Sequence, residues 1–458
     1  MTDSGGHGGF YSHPRYGGLQ MSVPRHDEPL GQTAAALRRG DLDPREYVDQ
    51  LCDRIDAVDG DLRAFLTECG RRERLRSEVE SLLDRHPDPD DRPPLFGVPV
   101  GVKDNTHAAG FETRAGTAVP PELFQGPEAT CVGRLRDAGA LVLGKTVTTG
   151  FAGGGPGLTR NPHDLDHTPG GSSSGSAAAV AAGLCPLATG TQTAGSVGRP
   201  AAFCGIVGFK PSFGRIPRDG VIERSETADH VGAFAQDVSG ITLAAEVLCD
   251  DWGTVPAPEG LPALGVPEGT YLDAAEAEGR AAFEAHVSRL EAAGCSIERI
   301  RVPLFEDYEA LDRLHHRMTR AELALVHEPW FDDYEAFYRT PMAEAIREGR
   351  EISAGELARG RAMAEALREE LDALLVEHGL DAWVAPGAPG PAPETIRSTG
   401  DPAMNRPWTY AGVPVLSVPA GTAENGLPLG LQVAGQFGAD EELLGWGPAL
   451  SDALSVSA

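Results

Sequence analysis

Lysine is nearly absent from this chain: Lys103, Lys145 and Lys210 stand beside 36 arginines. A guanidinium keeps its proton at any ordinary pH, whereas a buried ammonium can give its proton up. In a chain that uses arginine for almost every positive charge, each lysine marks a place where guanidinium will not serve, with codon usage or chance as the competing explanation. Positive charge is short overall. A formal net charge of −29 and a pI near 4.8 exclude nucleic acid, anionic membranes and acidic polymers as direct partners, because like charges repel, and the acidity serves solubility. No run of about 18 apolar residues could span a bilayer. No basic-then-apolar signal opens the sequence, so the expected compartment is the cytoplasm. Seven cysteines, at 52, 69, 131, 185, 204, 249 and 295, are scattered, with no CxxC pair. They read as reduced residues of apolar patterns, not as a disulfide framework or a metal site.

What the chain does have is concentrated between Thr168 and Ser212. A glycine-serine loop, Gly170 to Gly175, leads into the helix-forming run Ser176 to Ala182, which Gly183 ends as a C′ glycine. Pro186 to Thr191 is short enough for a buried strand. The small residues Thr193-Ala-Gly-Ser196 then allow a tight turn with several N–H groups pointing one way, as an oxyanion hole requires. Serine is a poor nucleophile without a base, so a Gly-Ser turn alone is equally an ordinary loop. Lys103, in Gly97-Val-Pro-Val-Gly-Val-Lys-Asp-Asn105, follows an apolar run that would strip it of water. Alternation along a strand turns its neighbour Asp104 to the other face, where it pairs elsewhere.

The remaining pattern is α/β. Residues 1–27, rich in glycine, histidine, serine and proline, read as a flexible N-terminal arm. Asp43-Pro-Arg-Glu46 caps a helix whose stripe is Tyr47, Val48, Leu51, Cys52 and Ile55. The strand carrying Lys103, a helix from Cys131 to Ala138 and a strand from Ala140 to Gly144 give the rhythm of a parallel sheet. Strands are also expected at 231–235, 264–267, 295–302, 382–386 and 413–419, with helices at 238–248 and 274–293. Asp250 to Leu264, with three prolines, is a linker between layers of one fold. Residues 305–378 are mainly helical, with a capping box at Ser353–Glu356 and a stop at Gly379. A chain of 458 residues could hold three domains; the pattern favours one large domain. Two tempting sites fail. Asn161-Pro-His-Asp-Leu-Asp-His167 offers histidines and aspartates but no third element to complete a metal shell. GGSSSG lacks the Gly-Lys-Ser/Thr ending of a phosphate loop.

The run GGSSSGSAAAVAAG, the turn Gln192-Thr-Ala-Gly-Ser196, the closing Gly208-Phe-Lys-Pro-Ser212 and the upstream Gly101-Val-Lys-Asp-Asn105 together resemble the amidase signature family of serine hydrolases. The resemblance runs from about residue 30 to the C-terminus. It implies an α/β fold, a mixed central β-sheet covered by helices on both faces, with 28–458 as the amidase domain and the helical region about 305–378 walling the substrate pocket. Trp330, Phe331, Tyr334, Phe337 and Tyr338 are candidates to line that pocket, or else simply pack the helices. The family's Ser–Ser–Lys triad, carried over, makes Ser196 the nucleophile, Ser172 the bridging serine 24 residues before it, and Lys103 the base. Thr193, Ala194 and Gly195, with Ser196, would supply the oxyanion N–H groups, supported by Ser173, Gln192 and Arg199. A cis peptide at Gly171–Ser172 is implied as well. Two departures stand out. Many relatives have aspartate where this chain has Gln192 and an arginine two residues after the nucleophile, whereas here it is Arg199; both changes are expected to fall on one alternative contact behind the turn. Ala194, where glycine is common, adds a methyl beside the oxyanion hole. The expected activity is hydrolysis of a carboxamide C–N bond through an acyl-enzyme, releasing ammonia or an amine, without metal or cofactor. Its alternatives are an allophanate-like carbamoyl hydrolase, an acyltransferase, or a glutaminase-type subunit of an amidotransferase complex. The expected partner is a small amide, with a homodimer as one open state of assembly.

Overall fold

Strands buried on both faces favour apolar or small side chains, and the segment Leu141–Thr146 has them except at Lys145, whose charge is paired; all six residues are buried. It belongs to a ten-stranded mixed sheet in a computed structural model that describes residues 22–24, 26–153 and 155–455. The expected arm at 1–27 lies largely outside the described residues. In chain order the strands are β1 (Pro99–Lys103), β2 (Leu141–Thr146), β3 (Leu187–Gln192), β4 (Val207–Lys210), β5 (His230–Ala235), β6 (Ala263–Glu268), β7 (Ser296–Arg301), β8 (Ala382–Pro386), β9 (Val415–Thr422) and β10 (Pro428–Gly435). Across the sheet they run β2-β1-β3-β5-β4-β9-β10-β8-β6-β7. The two ends are parallel, β2 to β1 to β3 and β8 to β6 to β7, while the pairs between them are antiparallel.

Alternation assigns the two faces. Val142, Leu187, Val231, Ala233 and Ala235 enter one apolar cluster, together with Val238 and Ile241 of the helix Val238–Leu248. Leu141, Leu143, Ala188 and Phe234 enter another, with Ala177 to Ala181 of the helix Ser174–Ala181. The sheet is thus covered by helices on both faces. The second cluster explains why this helix is built from alanine, serine and glycine: every residue of it is buried, and Gly175 has an ideal Cβ position 2.2 Å from the Ala64 carbonyl oxygen, so no side chain fits.

Most expected elements form with shifted ends. The helix of the alanine-rich run starts at Ser174, two residues early, and Gly183 follows it at φ 64°. The helix expected from Ala274 begins at Ala277, because a short 3-10 turn, Thr270–Ala274, precedes it. Residues 305–378 hold the helices Tyr308–His327, Phe331–Tyr334, Thr340–Arg350 and Ala354–His378, the last with the Ser353–Glu356 capping box and a left-handed Gly379. The seven cysteines are unpaired; six are buried and Cys69 is exposed. Among the described residues, no helix is long and apolar enough to cross a membrane.

Candidate active site

β1 ends at Lys103, whose side chain is fully buried. Its backbone N–H donates to the Thr189 hydroxyl at 3.1 Å, fixing the strand end against β3. Its Nζ lies 2.8 Å from Ser172 Oγ, 2.7 Å from Thr191 Oγ1 and 3.3 Å from the Thr191 carbonyl oxygen. These direct neighbours are hydroxyl and carbonyl oxygens, with no carboxylate among them. Burial therefore pushes the Lys103 ammonium well below its ordinary value, with the more distant Asp229 carboxylate opposing the shift. Asp104 turns away as alternation requires and meets Lys145 Nζ at 3.2 Å.

Ser172 follows a cis peptide bond from Gly171, as expected. The loop is tied down behind it. Ser173 Oγ donates to the Thr191 carbonyl and accepts from the Thr191 N–H, both at 3.2 Å. Arg199 donates to the carbonyl oxygens of Gly171 and Gly400 and to the Thr399 hydroxyl.

β3 ends at Gln192, and the turn begins. Gln192 Oε1 accepts from the N–H groups of Val197 and Gly198 at 2.6 and 2.9 Å, while its Nε2 donates to Thr409 Oγ1. Gln192 and Arg199 thus do not share a contact, contrary to the expected pairing. The amide serves the start of the helix Gly198–Cys204, and the guanidinium serves the cis-peptide loop. The turn's carbonyls are held as well: His315 Nε2 donates to the Thr193 carbonyl at 3.0 Å and Thr409 Oγ1 to that of Ala194 at 2.6 Å. The N–H groups of Thr193, Ala194, Gly195 and Ser196 donate to no protein acceptor among the described residues. Gly195 is required by close approach, since a Cβ there would lie 2.7 Å from Asn405 Oδ1.

Ser172, Thr193, Ala194, Gly195 and Ser196 open on one cavity of about 330 Å³. Among the described residues no hydrogen bond joins Ser172 to Ser196, and such contacts commonly close only when substrate is bound. The helix Tyr308–His327 adds His315, His316 and Thr319 to the wall. Burial pushes His315 down to about 3, so its ring is neutral. The five expected aromatics are not in this wall. Phe337 and Tyr338 border a separate cavity with Phe151 and Met342, and Phe331 packs in the apolar cluster there beside Trp330 and Tyr334. The reason is chemical: the main cavity is lined by small residues, arginines and histidines, and the apolar rings pack against Phe124 and Phe151 instead. In the rejected loop, His163 Nε2 bonds the Cys204 carbonyl and His167 pairs with Asp164.

Thr191, Asp229, His315 and the cavity arginines 224, 397 and 406 escaped sequence reasoning. Asp229 lies next to His230, the residue paired with Gln192 across β3 and β5, a proximity that only sheet order reveals. A faint signal existed for His315: Asp312, His315, His316 and Thr319 recur at helical spacing as a polar stripe on a helix that otherwise buries apolar residues.

A lysine without a carboxylate partner, a serine bonded to it, and a second serine beside free N–H groups on the same cavity define the class of serine hydrolases in which lysine stands where others use histidine. Residues 46–444 match the Amidase family profile, and the chain belongs to that family. It is similar to a glutamyl-tRNA(Gln) amidotransferase subunit of Synechococcus sp. strain WH7803, 32% identical over 87% of this chain and 91% of the relative. Among solved structures it resembles a crystallised amidase, 31% identical, TM-score 0.83, covering 93% of this chain and 100% of that one. It also resembles the peptide amidase of Stenotrophomonas maltophilia, 28% identical, TM-score 0.80, covering 93% and 96%.

Proposed function

We propose that this chain hydrolyses a small carboxamide through an acyl-enzyme on Ser196, with residues 28–458 acting as one amidase domain. The observation that carries the reading is the contact between a fully buried Lys103 Nζ and Ser172 Oγ at the edge of a cavity that also holds Ser196. A neutral amine has two N–H bonds and one lone pair. The N–H bonds suit the Thr191 carbonyl and hydroxyl, and the lone pair suits the Ser172 O–H. In the forward step Ser172 gives its proton to Lys103 and takes the Ser196 proton, while Ser196 Oγ bonds the amide carbon. The carbonyl π electrons move onto oxygen, held by the N–H groups of Thr193 to Ser196. Collapse of that oxyanion breaks the C–N bond, and the proton returns through Ser172 to the departing nitrogen. Water, activated by the same relay, then attacks the ester and frees Ser196 and the carboxylic acid.

The test is release of ammonia from aliphatic, aryl and carbamoyl amides by the isolated chain. Turnover abolished by Ser196→Ala supports the reading, and turnover surviving that substitution contradicts it. The similarity to amidotransferase subunits favours one second reading, in which the chain works only together with partner chains. It predicts an isolated chain that is inert until a co-purifying partner is restored. Acyl transfer to an added amine, measured beside hydrolysis, separates the transferase alternative.

A further inference from the structure

Acidic residues outnumber basic ones 68 to 39 in this chain, yet among the described residues the cavity that holds Ser196 is lined by four arginines, 199, 224, 397 and 406, and by no aspartate or glutamate. Arg199 and Arg406 are more than nine-tenths buried, and the Nε of each has no hydrogen-bond partner. Among the described residues Arg199, Arg224 and Arg397 enter no ion pair. Arg224 bonds only the Ala152 carbonyl through its side chain, and Arg199 only carbonyls and a hydroxyl. Arg406 alone has a carboxylate, Asp312. Burial lowers both Arg199 and Arg224 below the ordinary value; Asp401 opposes the shift at Arg199 and Asp229 at Arg224, while the charge of Arg406 adds to it at both. Arg224 has its place because Gly153 has no side chain, since a Cβ there would fall 1.2 Å from Arg224 Nη1. Arg199 and Arg406 are buried, Arg224 is half-buried and Arg397 is exposed at the rim, and gathering such like charges around one cavity is unfavourable by itself and is offset when an anion enters.

We infer that the cavity recognises an amide bearing one or more carboxylates, with the scissile carbonyl at the Thr193–Ser196 turn and the anionic groups held by Arg224, Arg397 and Arg406, a specificity that rests on the amidase reading of the same cavity. A guanidinium binds a carboxylate through two parallel N–H bonds, and a cleft of one sign within an acidic protein concentrates small anions that the surface repels. A cavity of about 330 Å³ takes a small molecule. The lining offers no broad apolar face for an aryl or long alkyl amide, since the nearby aromatic rings border a different cavity.

The experiment follows the rate at which a neutral fluorophosphonate labels Ser196 while competitors are added at constant ionic strength. Succinate, glutarate and tricarballylate form one arm and their methyl esters the other. The acids are expected to slow labelling and the esters not. Arg224→Gln and Arg397→Gln should each raise the half-protecting concentration of the acids about tenfold, the loss of one charged hydrogen-bonding group. Esters protecting as well as acids, or acids giving no protection while the probe still reacts, overturns the inference and leaves the amidase reading intact. Failure of the probe to label wild-type Ser196 overturns the amidase reading and the inference with it. The comparison of acids with esters is made on the wild-type chain, so it stands even if a variant does not fold.

Discussion

Lys103 and Lys145 lie on neighbouring parallel strands and are one register step apart: Val102 pairs with Lys145, and Lys103 with Thr146. Both are buried, and both are stripped of water. Their partners differ. Lys145 meets the Asp104 carboxylate and donates to the Thr106 carbonyl and Thr113 hydroxyl, so burial lowers it while Asp104 pulls it back up. Lys103 meets hydroxyls and a carbonyl, with Asp229 acting only from further away. The same side chain, on adjacent strands of one sheet, has a carboxylate partner in one place and only hydroxyl and carbonyl partners in the other, which is what the proposed role of Lys103 as proton acceptor requires. Lys210 adds a third environment: its Nζ donates to the Val413 and Pro211 carbonyls, and burial brings it to about 7, opposed by Asp440.

The contrast can be broken by removing each amine in turn. Lys103→Met should lower kcat/KM by about 10²- to 10⁴-fold, the usual worth of a general base, with no fall in Tm because an expensive buried amine is replaced by an apolar chain. Steady-state kinetics beside a thermal melt checks both halves. Lys145→Met should do the reverse: it strands the buried Asp104 carboxylate, so unfolding free energy falls by about 3–5 kcal/mol in a denaturant titration. Activity per folded molecule should suffer much less, and Asp104→Leu added to Lys145→Met should restore most of the stability. Gln192→Leu leaves the N–H groups of Val197 and Gly198 unpaired, at a cost of about 1–3 kcal/mol by the same titration, and lowers kcat through a loosened turn. The smallest effect sharpens the contrast instead of breaking it. Asp229→Asn removes the negative charge that favours protonated Lys103, so the acid limb of kcat/KM should move to lower pH; movement to higher pH would contradict the electrostatic assignment.

The reactive end of the cavity and the lysine behind it were legible in the sequence, and apart from Arg199 most of the wall was not. Lys103, Ser172 and the 193–196 turn sit in segments where small residues and an unusual lysine are locally conspicuous, and Asp104 could be turned away from Lys103 by alternation alone. The wall is assembled from residues up to about 200 positions further on. Arg224, His315, Arg397 and Arg406 look like ordinary polar residues until the β-sheet order and the helix Tyr308–His327 bring them over that reactive end. The aromatic segment at 330–338 left two readings open, pocket lining or helix packing, and its rings pack outside the main cavity. Trp330 and Tyr338 satisfy each other, Trp330 Nε1 donating to Tyr338 Oη at 2.7 Å, and the rings pack among themselves. The expected pairing of Gln192 with Arg199 failed because a residue's neighbours in sequence do not say which of its backbone surroundings need a donor.

If neutral Lys103 is the base, the pH dependence of kcat/KM reports its ionisation. Lys103 must be unprotonated to accept the Ser172 proton. Because burial lowers its pKa, activity should be present at neutral and mildly alkaline pH and lost as pH falls through the lowered value. A single acid-side ionisation is predicted, unchanged in His163→Ala and His167→Ala. A limb that follows an ordinary histidine, about 6.5, and disappears in either histidine variant would contradict the account.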